Sequence, residues 1–299
     1  MNNNQYCGII ILNKPVGGSS HRCVSIVRKA LNMKKVGHTG TLDPEACGVL
    51  PILVGSATKA ADFLTCEDKR YDATVLLGTK TDTLDMAGTV LEKNEVSVTE
   101  EDVKRVISSF IGEIEQIPPM YSAIQLNGER LYNLARQGID VERKARKITV
   151  FSIDIREINL PYVKISVHCS KGTYIRTLAA DIGDALGCGG CISELCRTAS
   201  GDFCIENAIT PDELLALGEK GEAEKAIIPL DTVFKKYEAI YLDKKRADRV
   251  KNGVPIYFRG KTQGDFFRIY DENGCFIALS QSDIADGREC LKLIKGFYQ

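Results

Sequence analysis

The sequence has no apolar run near the roughly 18–20 residues that a membrane-spanning helix needs. Its start, "MNNNQYCGIIILNKP", carries no basic region ahead of the apolar residues and no long hydrophobic segment, which argues against a secretory signal and for a cytoplasmic protein. A strong charge of either sign is also missing. Lys and Arg number 39 against 40 Asp and Glu, for a net charge of −1 and a pI of about 6.4. That excludes a uniformly basic surface, but it leaves room for a local basic stripe. No repeat or low-complexity tract is present. The eleven cysteines follow no regular framework, and the single CxxC lies in "CGGCISELC" (Cys188, Cys191, Cys196). A zinc site normally shows two short ligand pairs, so the cysteines read as reduced thiols and no metal is expected.

What is present is a chain long enough to bury a sizeable core, with 44% hydrophobic and 26% charged residues. "GIIILNKP" (8–15) reads as a buried strand stopped by Pro15, and 19–32 as a helix capped by Ser19 or Ser20. "GVLPILVG", "RYDATVLLG" (70–78), "AGTVLE" (87–92), "ITVFSIDIREI" and "YVKISVHCS" (162–170) read as strands. "SATKAADFL", 99–110 (with Thr99 as N-cap) and 173–187 (ending at Gly187) read as helices. Residues 118–147 are polar, punctuated by Gly and basic at their end, the character of a functional arm inserted between core elements. Beyond a boundary near 230–237, short strands such as "FFRIY", "CFIALS" and "CLKLIKGF" predict a small β-rich domain.

The stretch "VGHTGTLDPEACGVLP" (36–51) sets Asp43 before Pro44 among several glycines. Such a pattern is a common surface turn. Gly37 and Gly40 also permit close backbone approach, beside His38, Thr39 and Thr41, which can bond phosphate or a base edge. It is not a Walker phosphate loop, because the GK[ST] ending is missing. Elsewhere, Tyr71 opens a strand, while Lys171, Tyr174 and Arg176 fall where a strand gives way to a helix. His21 and His168 are most simply local, satisfied histidines. Each of these features alone reads as packing or a surface pair.

Taken in order, "GIIILNKPVGGSS", "GHTGTLDPEACGVLPI", "GSATKAADFL", "KRYDATVLLGTKTDTLDMAG", "EQIPPMYSAIQLNGERLYNLARQGI" and "CSKGTYIRTLAADIG" resemble the bacterial TruB-type tRNA pseudouridine synthases. The resemblance runs from about residue 8 to 200 and weakens beyond 237, where it suggests the family's PUA-like barrel. It implies an α+β fold with a mixed, mainly antiparallel sheet flanked by helices. A catalytic domain would cover 1–235, with a thumb at about 118–147, and an RNA-binding domain 237–299. The implied reaction isomerises uridine 55 of the tRNA T-loop on an extruded base, without cofactor or metal. The implied partner is the tRNA T-arm, with no obligate protein partner.

By the same resemblance, Asp43 matches the essential carboxylate, Arg176 its ion-pair partner, and Tyr71 the residue that stacks on the base or exchanges its proton. His38 matches the residue that fills the vacated space. Tyr174 and Leu195 match the lining of the uracil pocket, and Lys14 a lysine near the site floor. Arg143, Lys144, Arg146 and Lys147 of the thumb would meet phosphates. Cys47 and Cys66 depart from the family pattern and predict sensitivity to thiol reagents. Two other readings remain at this stage: a non-catalytic RNA-binding or tRNA-folding module, and a metal-dependent nucleic-acid hydrolase.

Overall fold

The structure is a computed structural model describing residues 6–126, 128–257, 264–285 and 287–298. The leading residues 1–5, part of the segment read for a signal, lie outside the described residues. Strand β1 (Gly8–Lys14) is apolar almost throughout because both of its faces are covered. Ile10 and Leu12 enter one core beneath helix α1 (Ser20–Leu31), while Ile9 and Ile11 enter a second core with Phe234, Leu279 and Phe297. A strand buried on two sides reads as a continuous hydrophobic run rather than an alternating one. Strand β3 (Ala46–Val54) behaves the same way, sending Leu50, Ile52 and Val54 to the first core and Val49 and Leu53 to the second.

Among the described residues the main sheet has nine strands. Its order is β1, β3, β12 (Gly190–Ser200), β4 (Lys69–Leu77), β11 (Tyr162–Cys169), β10 (Arg146–Asn159) and β7 (Gly112–Gln116). The short β2 (Val36–His38) pairs with β3, and β13 (Phe203–Cys204) with β12. All of these pairs are antiparallel except β12 with β3. Helices α1, α3 (Glu100–Ser109), α5 (Ile175–Ala185) and α6 (Pro211–Glu219) cover one face through Val24, Val27, Val103, Ile107, Leu178, Ile182 and Leu214. Short α2 (Ala61–Thr65) follows β3. The α+β reading with a mixed, mainly antiparallel sheet holds.

Strand β4 shows how the uncovered face is made. Ala73, Val75 and Leu77 point into the core, while Asp72 and Thr74 line an open groove of about 860 Å³. Hairpin β5 (Thr79–Thr81) and β6 (Val90–Lys93) edges this groove through the turn carrying Asp85 and Met86. The strand expected at 87–92 is therefore found slightly later. The thumb holds hairpin β8 (Gln125–Leu126) and β9 (Glu129–Arg130), followed by α4 (Leu131–Arg136).

Two elements differ from the sequence reading. From Gly190 onward "CGGCISELC" runs into β12, a central strand absent from the sequence reading. The β-rich C-terminal part also contains helix α7 (Lys244–Lys251), whose two buried apolar residues, Ala247 and Val250, gave too little periodicity to read. Its sheet runs β14 (Glu238–Tyr241), β16 (Phe266–Tyr270), β17 (Phe276–Ala285), β18 (Arg288–Gly296) and β15 (Ile256–Tyr257).

Candidate active site

Asp43 sits on a loop held from several directions. The Ser20 hydroxyl, at the start of α1, donates to the Leu42 carbonyl at 3.0 Å and accepts from the Leu42 N–H at 2.9 Å. Gly17 N–H donates to the Pro44 carbonyl at 2.9 Å. Lys14 is wholly buried, and its ammonium donates to the carbonyls of Pro15, Pro44 and Ala46 at 2.9, 3.1 and 2.6 Å. Burial lowers its pKa, and three carbonyl acceptors compensate part of the lost hydration. Lys14 thus acts on the backbone around Asp43 and does not line the cavities described here. Hydrogen bonds of this kind contribute about 1 kcal/mol each, so the loop is firmly placed.

Arg197 braces the other side. It is 2% exposed, and its Nε donates to the Val49 carbonyl at 2.7 Å and its Nη2 to the Gly40 carbonyl at 3.4 Å. The glycines in this stretch have distinct jobs. Gly48, at φ +103°, lies where a Cβ would come within 2.2 Å of the Arg197 carbonyl oxygen, so β3 and β12 can approach only without a side chain there. Gly40, at φ +84°, makes the bend that delivers its carbonyl to Arg197.

The Asp43 carboxylate meets Arg176, the second residue of α5. Arg176 Nε lies 2.8 Å from Asp43 Oδ2, and its Nη1 lies 3.6 Å from Asp85 Oδ2. The same guanidinium donates to the carbonyls of Thr83 and Tyr121 at 2.7 and 2.8 Å. Loss of water raises the Asp43 pKa; Arg176 opposes that shift and Asp85 reinforces it.

Beside this pair is a cavity of about 270 Å³, lined by Asp43, Tyr71, Tyr174, Arg176, Leu195 and Arg197 among others. That is just below the roughly 300–1,000 Å³ of pockets for drug-sized ligands. The Tyr71 phenol is pushed up by burial, with the Arg197 guanidinium pulling the other way. Burial likewise raises Tyr174. Tyr174 is held through its backbone: its N–H donates to Gln116 Oε1 at 2.8 Å, and Gln116 Nε2 donates to its carbonyl at 3.1 Å.

A wider groove of about 720 Å³ joins Asp43 to His21, His38 and the thumb residues Arg130, Tyr132 and Arg136. His38 is half-buried, and burial and then Arg197 and His21 lower its pKa, so it faces this groove neutral. Arg130 and Arg136 stand 5.9 and 5.6 Å from the Tyr132 ring, a cation–π cluster on the thumb. The basic run lies elsewhere. Arg143 donates to the Pro118 carbonyl at 3.2 Å and approaches Asp140 at 3.5 Å, and Lys147 pairs with Glu113 at 3.1 Å. Lys144 and Arg146 are exposed, Arg146 opposite Gln116 at the start of β10.

The structure therefore gathers Asp43, Tyr71, Tyr174, Arg176 and Leu195 at one cavity and places His38 on the adjoining groove. Asp85, Gln116, Arg130, Arg136 and Arg197 escaped the sequence reading. "LDMAG" and the Arg of "ELCRTAS" carry no motif by themselves, since their partners are distant backbone groups and side chains. Among the described residues, no group of three or more His, Cys, Asp or Glu is arranged to hold a metal ion, and no helix is long and apolar enough to cross a membrane.

The site thus sets a carboxylate paired with arginine at the edge of a small, tyrosine-lined cavity that adjoins a groove edged by Arg130 and Arg136. The TruB family pseudouridylate synthase N-terminal domain matches residues 28–175, and the tRNA pseudouridylate synthase B C-terminal domain matches 176–238. The chain is 46% identical to tRNA pseudouridine synthase B of Clostridium tetani, over 96% of this chain and 98% of that one. It is 44% identical to the Bacillus subtilis protein of the same name, over 91% and 92%. The structure of an H/ACA ribonucleoprotein bound to a substrate RNA containing 2'-deoxyuridine is similar over 98% of this chain and 85% of that one, with a TM-score of 0.71 and 27% identity. The chain belongs to the TruB family of pseudouridylate synthases and is an isomerase of that class.

Proposed function

We infer that the chain isomerises uridine 55 in the T-loop of tRNA to pseudouridine, with Asp43 as the essential carboxylate. The observation that carries this reading is the Asp43–Arg176 pair at the edge of the cavity formed with Tyr71, Tyr174 and Leu195. The names of the relatives support tRNA as the substrate.

The reaction breaks the N1–C1′ bond, turns the uracil, joins C5 to C1′, releases the C5 proton and leaves N1 carrying a proton. No electron is gained or lost overall. An ionised Asp43 next to C1′ either attacks the sugar or stabilises the charge that develops there. Arg176 keeps that carboxylate ionised in a partly dry site and fixes its direction. Burial raises the Tyr71 pKa, and the phenol offers the reaction a flat stacking face and a proton-exchanging tip. The base reaches the cavity only after leaving the RNA stack, at a cost of a few kcal/mol. Stacking on Tyr71 and the filling of the vacated space from the His38 side offset this cost.

The test uses a T-arm hairpin carrying tritium at uridine C5. Wild type releases tritium, whereas Asp43→Asn binds the hairpin and releases none. Binding without release by either protein means that the scaffold is an RNA-binding module. A Tyr71→Phe variant that turns over like wild type removes the acid–base role and leaves stacking.

A further inference from the structure

Two thiols beside the site have no part in the chemistry above. Strands β3 and β12 run parallel, and Cys196 is the register partner of Cys47. Register partners on neighbouring strands lie about 5 Å apart and project to the same side. Both cysteines are half-buried, and both line the groove of about 860 Å³ that also meets Asp43 and Leu195. Among the described strands, no other two of the eleven cysteines face each other in register. The CxxC members Cys188 and Cys191 are buried, with Cys188 directed at backbone carbonyls and Cys191 at the Met86 sulfur.

We propose that Cys47 and Cys196 form a dithiol site that captures a trivalent arsenical. Each thiol gives its proton to the oxygen of R–As=O, two As–S bonds form, and the oxygen leaves as water. No electron is transferred. Two sulfurs at adjacent register positions close one chelate on the arsenic, which a single thiol cannot do.

The surroundings favour this chemistry over oxidation. Burial first, and then the neighbouring Cys47 thiol, push Cys196 up to about 12. Peroxide reacts with the thiolate, which is scarce at such a site at neutral pH. The arsenical reaction starts and ends with neutral groups, so the surroundings that suppress the thiolate do not oppose the product. Cys47 lies four residues beyond Asp43, and Cys196 directly follows Leu195. A captured arsenical therefore stands in the groove beside the cavity. That it blocks RNA entry rests on the function proposed above; the capture does not.

Reduced wild type, Cys47→Ser, Cys196→Ser and Cys66→Ser, each with a native circular dichroism spectrum, are titrated with phenylarsine oxide and read by intact mass and thiol count. Wild type and Cys66→Ser take up one phenylarsenic group, lose two free thiols, keep the adduct through a 2-mercaptoethanol wash and release it to a dithiol. Cys47→Ser and Cys196→Ser each bind at least tenfold more weakly. Failure of wild type to bind, or equal retention by both serine variants, overturns the proposal. Asp43→Asn captures the arsenical like wild type, and a T-arm hairpin slows capture. Capture that needs both cysteines but ignores the hairpin keeps the dithiol site and removes the RNA reading of the groove.

Discussion

Arg176 Nε lies 2.8 Å from Asp43 Oδ2 while Nη1 of the same planar group lies 3.6 Å from Asp85 Oδ2. With the Thr83 and Tyr121 carbonyls at 2.7 and 2.8 Å, one guanidinium joins the Asp43 loop, the hairpin edge and the root of the thumb. A lysine ammonium keeps the charge but cannot span four acceptors in one plane. Arg176→Lys is expected to lower single-turnover pseudouridine formation by about 100-fold, the scale of a roughly 1 Å misplacement at a reacting centre. Near-normal turnover would show that only charge is needed.

Asp85 acts on the titration of Asp43. Burial raises the Asp43 pKa, Arg176 lowers it, and the Asp85 charge raises it again. Activity that needs the ionised carboxylate therefore falls on acidification at a higher pH than for a solvated Asp. Asp85→Asn removes one upward push, so the acid limb of the kcat/KM profile moves to lower pH. Its plateau drops because Arg176 loses a partner. A limb that stays in place or moves up contradicts this coupling.

Gln116 is expected to place Tyr174 without touching the base. It is 2% exposed, and its amide both donates to and accepts from the Tyr174 backbone. Gln116→Met leaves those two groups unpaired, at a cost of about 1–3 kcal/mol each where water cannot replace the amide. The expected result is a raised KM with a smaller change in kcat. Gln116→Glu adds a diagnostic readout: its ionised carboxylate cannot donate to the Tyr174 carbonyl, but its protonated form can. Its activity relative to wild type should recover as pH falls, whereas a merely structural role predicts steady loss on acidification.

These relationships explain what was legible in the sequence. β1 was visible because its two buried faces make an unbroken apolar run, and α1 and α3 because Ser19 and Thr99 cap them as expected. The Asp43 stretch was recognisable because its glycines, Pro and Asp are all local. β12 was hidden by its own irregularity. Its register against β4 shifts between Ile192 and Glu194 and again between Arg197 and Ala199, which breaks the two-residue alternation. The bulged strand nevertheless delivers Leu195 and Arg197 to the cavity. Arg197, Gln116 and Asp85 were illegible for a related reason: each acts on groups dozens of positions away.

The thumb separates two basic groups by what already occupies them. Arg143 is tied to the Pro118 carbonyl and Asp140, and Lys147 pairs with Glu113 on the outer edge of the sheet. Arg130 and Arg136 flank Tyr132 and line the groove that reaches Asp43 and His38. An RNA strand entering this groove meets an aromatic face between two cations, a combination that holds both base and phosphate. Each neutralised phosphate contact flattens the log-affinity against log-salt slope by about 0.7–0.9. Arg130→Gln with Arg136→Gln should flatten the slope for a T-arm hairpin by about 1.4–1.8. Arg143→Gln with Lys147→Gln should change it less, because both side chains already have protein partners. If the second pair flattens the slope more, the basic run rather than the α4 cluster carries the phosphates, and the thumb must turn Arg143 and Lys147 away from their present partners when RNA binds.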